Sequence, residues 1–303
     1  MVLSGEEPVI LTKARLLAKR VARLPGLQRP IATAWNTYEH VLFSYHIRRN
    51  LREGDRVAEI DPLRVFWIDP NDVEAASGGL FDFLSDTGKV VGGRWDLDHG
   101  PEVSDSNLYN WFKKRFHHSC SWEETERYAN GVKKVRQGQS KRYATVDQYR
   151  RKLHSYDRMY REFEQGNYRL QSELADDQAV GAPGDGGRTL FPSLTDHTLM
   201  RHEIAINVGR DGTLLWNDGR HRLFLALVAG LEEIPVRIVV RHAEWQQLRD
   251  EIARTVDEAI EAGVSTDIRE HTRDILSEKL DDIRFGLDHP DLDIIFERRL
   301  SDN

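Results

Sequence analysis

Residues 214–242 read LLWNDGRHRLFLALVAGLEEIPVRIVVRH, and the fold turns on how this run is divided. Asp218-Gly219-Arg220-His221-Arg222 is too densely charged for a core. It nevertheless directly precedes Leu223–Ala229, which is apolar nearly all round, as a largely buried helix is. Gly230 suits the left-handed position after a last helical turn. Ile234–Val240 is a β-rich run with Pro235 at its first positions, where no ladder donor is needed. Upstream, HEIAINV (202–208) alternates as a strand does, Gly209-Arg210-Asp211-Gly212 is a hairpin turn signal, and TLLWN (213–217) continues as a second strand. The order predicted is therefore strand, turn, strand, charged turn, helix, strand.

The charged turn falls where a strand gives way to a helix. A helix start presents N–H groups without intrahelical acceptors and a partial positive charge. Gly219 lets the backbone approach a ligand closely. Arg220, His221 and Arg222 add side-chain donors, and two guanidinium groups at a helix N-terminus suit a phosphate. The competing structural reading has Asp218 capping the helix and the arginines pairing with surface carboxylates.

The rest of the chain bounds this reading. A formal net charge of -7 over 303 residues, with a pI near 6.0, argues against a protein that coats duplex DNA, although a local basic patch stays possible. Residues 1–60 hold ten Lys/Arg against six Asp/Glu, while residues 241–303 hold nine against seventeen. The single Cys120 excludes an intrachain disulfide framework and points to a reducing compartment. No run approaches the roughly 20 apolar residues that span a bilayer. The expectation is a cytoplasmic protein with no transmembrane segment.

Basic amphipathic spacing predicts a helix over 10–24, ended by Pro25-Gly26, which docks on the body or touches a membrane surface or nucleic acid. A second helix is predicted over 32–51. RVFWID (64–69) reads as a buried strand, and 74–103 as loop with short elements. Residues 105–178 read as largely helical: SWEE (121–124) resembles a capping box, and Tyr149, Leu153, Tyr156, Tyr160 and Phe163 form a stripe at helical spacing over 146–163. Residues 176–188 form a Gly/Asp/Pro linker, and the acidic end from Ala243 reads as a helical cap. Asp96, Asp98 and His99 stand at metal-ligand spacing, and His117-His118 with Cys120 invites a zinc reading. Neither set has the matched partners a metal site wants, so no metal-ligating residues are assigned.

The stretch EIAINVGRDGTLLWNDGRHRLFLALVAGLEEIPVRIV resembles the core of the ParB/sulfiredoxin-like superfamily, whose members join a strand ending in a G-x-x-R-type box, a helix, and a strand opening with Pro-Val. Gly219-Arg220-His221-Arg222 matches the box, with Arg222 as its arginine, and RVFWIDPNDV resembles the domain's opening strand. The resemblance covers about 45 residues and makes 105–178 an insertion. It implies an α+β fold: a small mixed sheet with helices, flanked by an N-terminal helical segment (1–60) and an acidic helical segment (243–303) around a core of 61–242. Sulfiredoxins carry a nucleophilic cysteine where this chain has Arg220, which speaks against sulfinic-acid reduction. The acidic helices after 241 do not look like the DNA reader of the ParB partition proteins. The free-serine-kinase-like branch fits the charge balance best.

That branch implies a nucleotide cofactor (ATP, ADP or CTP) with Mg²⁺, and a phosphotransferase or NTPase acting on a small hydroxyl compound. Asp218, Gly219, Arg220, His221 and Arg222 would bind the nucleotide. Glu203, Asp196 and His221 are the candidate catalytic groups, with His197 nearby in sequence. His202, Arg241 and His242 are candidates for substrate contact. Two alternatives stay open: a ParB-like DNA-associated protein (a nucleotide-switched binder or nuclease), and a nucleotide-binding module without catalysis.

Overall fold

The structure, a computed structural model, describes residues 28–140, 142–170, 173, 203–264 and 267–301. The helix predicted over 10–24, the linker at 176–188, and Asp196, His197 and His202 lie outside the described residues.

β4 (Ile204–Val208) and β5 (Leu214–Asp218) form the predicted hairpin. Its turn is closed by Gly209 N–H donating to the Thr213 carbonyl and Thr213 N–H donating to the Asp211 side chain, with Gly212 in the left-handed region. α6 (Arg220–Ala229) follows and ends on Gly230, also left-handed. β6 (Ile234–His242) is the longest strand described and is buried at every position. It runs parallel to β4, which places β4 and β6 side by side at the sheet's centre.

Short strands complete a mixed six-stranded sheet of order β1-β6-β4-β5-β2. β1 (Phe66–Ile68), predicted from RVFWID, pairs antiparallel with the start of β6. β2 (Val73–Ala76) lies parallel to β5, and β3 (Lys89–Val91) lies parallel to the end of β6. β2, β3 and a four-residue helix, α2 (Phe83–Asp86), are the short elements of 74–103. The fold is α+β, as expected.

One face of the sheet carries Ile204, Ile206, Leu214, Val236 and Ile238, and it packs on α6 and the helices of the insertion. Those are α3 (Asn107–Phe116), α4 (Glu126–Arg136) and α5 (Val146–Glu164). The aromatic stripe of α5 faces inward: Tyr149, Leu153, Tyr156 and Phe163 are buried. Ser121 and Glu124 form a capping box, but it closes a short 3-10 turn, and Thr125 caps α4. The other face carries Ala75, Ala205, Leu215 and Val239 under Trp95 and Phe81. There the buried Arg237 guanidinium lies 3.6 Å from the centre of the Phe83 ring. α1 (Gln28–Arg52), the predicted second helix, packs on α2 and β3.

The acidic end folds as α7 (Ala243–Glu261), α8 (Ile268–Ile275), α9 (Ser277–Leu280) and α10 (Pro290–Ser301). It shares the apolar core of the sheet through Trp245, Ile252, Leu292 and Ile295. The join is a buried charge cluster. The Asp291 carboxylate accepts from Arg241 Nε and Nη2 (2.8 and 2.6 Å) and from Trp245 Nε1 (2.9 Å), and Arg249 Nε lies 3.3 Å away. Burial alone would raise this carboxyl; the two arginines outweigh it and hold it well below the usual carboxylate range. His289 bridges the cluster to the hairpin turn. Its Nε2–H donates to the Gly212 carbonyl at 3.0 Å, and its Nδ1 accepts from Asp291 N–H at 3.0 Å, which fixes the neutral tautomer.

Burial brings the His289 pKa down from 6.5 to about 4. A histidine held neutral stabilises the fold above its unfolded pKa, and that stability is lost as pH falls towards the folded value. Denaturant unfolding between pH 7 and pH 4 should therefore show a loss on the order of 3 kcal/mol from this group. His289→Gln should unfold more easily at pH 7 and show a shallower pH slope in the same titration; an unchanged slope would remove His289 from the account.

Candidate functional site

The charged turn sits where β5 hands over to α6. Gly219 is the helix N-cap residue with φ +83, a conformation few side chains tolerate. A Cβ there would also come within 2.9 Å of Ile204 Cα, so β4 itself passes against the turn. The glycine thus has two structural reasons besides any ligand. Asp218 is exposed and accepts from Gly219 N–H at 2.7 Å, which makes it the clamp of the turn. The N–H groups of Arg222 and Leu223 return to the Gly219 carbonyl and start the helix.

The two arginines separate. Residues two apart on a helix of 3.6 residues per turn project about 200° apart, and the side chains follow that geometry. Arg220 is exposed and makes no ion pair among the described residues. Arg222 turns inward, is 7% exposed, and pairs with Glu203 at 3.2 Å (Nη1 to Oε2). A twin-guanidinium grip on one phosphate is therefore corrected to a single outward guanidinium, with the second engaged by the buried Glu203 at the start of β4. This also takes Glu203 away from the geometry of a free general base.

Aromatic rings from the insertion wall the turn. The His221 ring lies parallel to Tyr156 of α5, with centroids 5.3 Å apart and planes inclined by 8°. The Tyr168 hydroxyl is buried beside Arg222 and Glu203. Burial pushes its pKa well up, so it stays protonated. On the far side of α6, His117 Nε2 lies 2.8 Å from the Val228 carbonyl, tying α3 to α6. Of the residues predicted for the site, the structure brings together Glu203, Asp218, Gly219, Arg220, His221 and Arg222. It adds Tyr156, which the aromatic stripe marked as core, and Tyr168, which the sequence reading did not single out.

Arg241 and His242 do not belong with them. Ile204 pairs with Val236 beside the turn, whereas Val208 pairs with Arg241 at the other end of β4. Four residues of strand span roughly 13 Å. Arg241 is buried against Asp291, and His242 is buried near Asp96 and the Gly93 carbonyl. Their expected contact with a substrate at residues 218–222 is corrected by this placement. At that far end Asp96 also finds its role. Burial alone would raise its carboxyl, but hydrogen bonds from the Arg210 side chain and N–H hold it at about 2. Among the described residues no three His, Cys, Asp or Glu side chains are placed to hold a metal ion, and Asp96, Asp98 and His99 do not converge. No described helix is long and apolar enough to cross a membrane.

Arg220→Ala should change unfolding free energy by no more than about 0.5 kcal/mol, as an exposed substitution does. Arg222→Ala, which takes away the cation neutralising buried Glu203, should cost about 3 kcal/mol. Gly219→Ala should cost on the order of 2 kcal/mol through its backbone angle and the contact with Ile204. Chemical denaturation of the three variants checks the order.

No family model, no curated protein and no solved structure matches the chain.

Proposed function

We propose that the turn at 218–222 binds the phosphate chain of a nucleoside triphosphate accompanied by Mg²⁺. We further propose a phosphotransferase or NTPase acting on a small hydroxyl compound. The observation that carries the binding is the left-handed Gly219 at the head of a buried helix. It opens α6 outward at the place where Arg220 stands exposed and, among the described residues, makes no ion pair. Helix N–H groups and an adjacent free guanidinium are the donor set that phosphate oxygens favour. The resemblance of residues 203–239 to the ParB/sulfiredoxin-like core supports the same assignment and extends it to phosphoryl transfer.

The roles divide by position. Arg220 and the first N–H groups of α6 contact phosphate and offset charge that moves to the leaving group. The Arg222–Glu203 pair braces the turn from inside, so Arg222 and Glu203 are positioning residues. His221, aligned by Tyr156, stands at the rim and can donate to a phosphate oxygen. Asp218, exposed on the same turn, is the carboxylate available to Mg²⁺, which takes one or two carboxylates together with phosphate oxygens and waters.

Thermal unfolding with Mg²⁺ and ATP, ADP or CTP tests the reading, because a ligand bound by the folded state alone raises the midpoint. At least one nucleotide should raise it in the wild type. Arg220→Ala should abolish the rise while leaving the unliganded midpoint in place. A rise that survives Arg220→Ala unchanged sinks the assignment of this turn.

A further inference from the structure

The helical insertion carries a second concavity. Between α3, α4 and the segment leading to α5 lies a cavity of about 220 Å³ lined by Trp111, Arg127, Asn130, Lys134, Tyr143 and Tyr149, among others. Three aromatic rings and two cations face it, and among the described residues no carboxylate lines it. The Tyr149 ring lies against Gly131, where a Cβ would come within 2.1 Å of it, and its hydroxyl donates to the Arg127 carbonyl at 2.8 Å. That wall is rigid. The Arg127 guanidinium lies 5.3 Å from the Trp111 ring centre and 5.7 Å from that of Tyr156, and its buried Nε has no hydrogen-bond partner among the described residues.

The charge around this cavity is at odds with the chain as a whole. Residues 107–161 hold fourteen Lys/Arg against five Asp/Glu, in a protein of net charge -7. Two of those carboxylates are taken up locally, Asp157 by Arg115 and Asp147 by Arg150. Lys133, Lys134 and Arg136, in the last turn of α4, and Lys114, at the end of α3, are exposed and make no ion pair among the described residues. Their position complements the helix dipoles, yet leaves their charge facing solvent, and Lys134 also lines the cavity. A polyanion whose repeating unit is a flat ring answers both features at once. Its phosphates meet the lysines, and one unstacked ring enters between aromatic walls.

We propose that the insertion binds single-stranded nucleic acid, with one base held in the cavity of Trp111, Tyr143 and Tyr149 and the flanking phosphates on Lys134, which lines the cavity, and its neighbour Lys133. Duplex is the poorer ligand, since its bases are already stacked. An acidic protein surface, including the acidic end of a second copy, would use the lysines but leave the aromatic cavity without a purpose. The site is separate from the turn at 218–222 and does not depend on the reading of that turn.

Fluorescence anisotropy with a labelled oligothymidylate of about 15 nucleotides tests it. Binding should weaken steeply with salt, at about 0.7 in log K per log salt for each phosphate contacted. Lys133→Glu/Lys134→Glu, on exposed positions, should weaken it at least about tenfold while leaving the thermal midpoint unchanged. Tyr143→Ala should weaken it about five- to hundredfold at fixed salt, the range of one lost stacking contact. Arg220→Ala should leave it unchanged. The proposal is overturned by any of four results: no binding at low salt, no effect of the charge reversal, equal or tighter binding of a duplex of the same length, or full competition by millimolar AMP. Salt-sensitive dimerisation lost in the charge-reversed variant, without oligonucleotide binding, would assign the basic face to a second copy instead.

Discussion

The carboxylate of Asp291 joins the two parts of this protein. It lies fully buried at the head of α10 and accepts from Arg241 at the end of the central strand, from Trp245 at the start of α7, and sits beside Arg249. A buried carboxylate is tolerated only where cations and donors surround it. The requirement here draws three segments to one point. Arg249 also reaches back to the Gln246 side chain and the Glu59 carbonyl, and Asp250 takes the N–H groups of Val57 and Ala58. The segment before β1, the long helix α7 and the C-terminal helix are thereby fixed to the end of β6. Replacing such a cluster by apolar residues of equal volume is often harmless to stability, so its use lies in fixing a single arrangement.

That arrangement leaves the two ends of the sheet with opposite roles. At the far end of β4 and β6, Arg210 pairs with Asp96 and Arg241 with Asp291, so most of that charge is spent inside the protein. At the near end, in the turn into α6, Asp218 and Arg220 are exposed. Helix geometry sends Arg222 inward to Glu203 and Arg220 outward, so one sequence motif supplies both a brace and an exposed cation. A motif read as one convergent binding set is, in three dimensions, a two-sided object with β4 beneath it.

Much of the fold was legible in the residues. The hairpin, α6 with its Gly230 terminator, β6 and the long helix of the insertion each announce themselves through periodicity and turn chemistry, and each occurs within a residue or two of the expected bounds. What stayed hidden was phase and partnership. Nothing in Gly219-Arg220-His221-Arg222 as letters says which guanidinium meets Glu203, because that depends on where β4 passes. Arg241 and His242 read as strand-end residues available to a substrate, but β6 is long enough to carry them to the opposite end from the turn. Asp291 reads as a surface acid in an acidic helix; its burial follows from Arg241, fifty residues away. β2 and β3 escaped notice because strands of three or four residues lack the length to show an alternation.

Net charge misleads for the same reason. A value of -7 conceals an acidic C-terminal block and a basic stretch within the insertion, and a ligand meets a surface rather than a sum. At physiological salt the field of a charge fades within about 8 Å. The acid helices packed behind β6 therefore do little to offset the lysines at the tip of α4, on an insertion that packs on α6. The aromatic residues follow the same division. Those of α5 that face the sheet, Tyr156 among them, are buried in the core, while Trp111 and Tyr143 stay half-buried at the cavity. A helix needs only one apolar face to pack. The rings and cations left on the other side of the insertion, without carboxylates among them, are what give it a chemistry separate from that of the sheet.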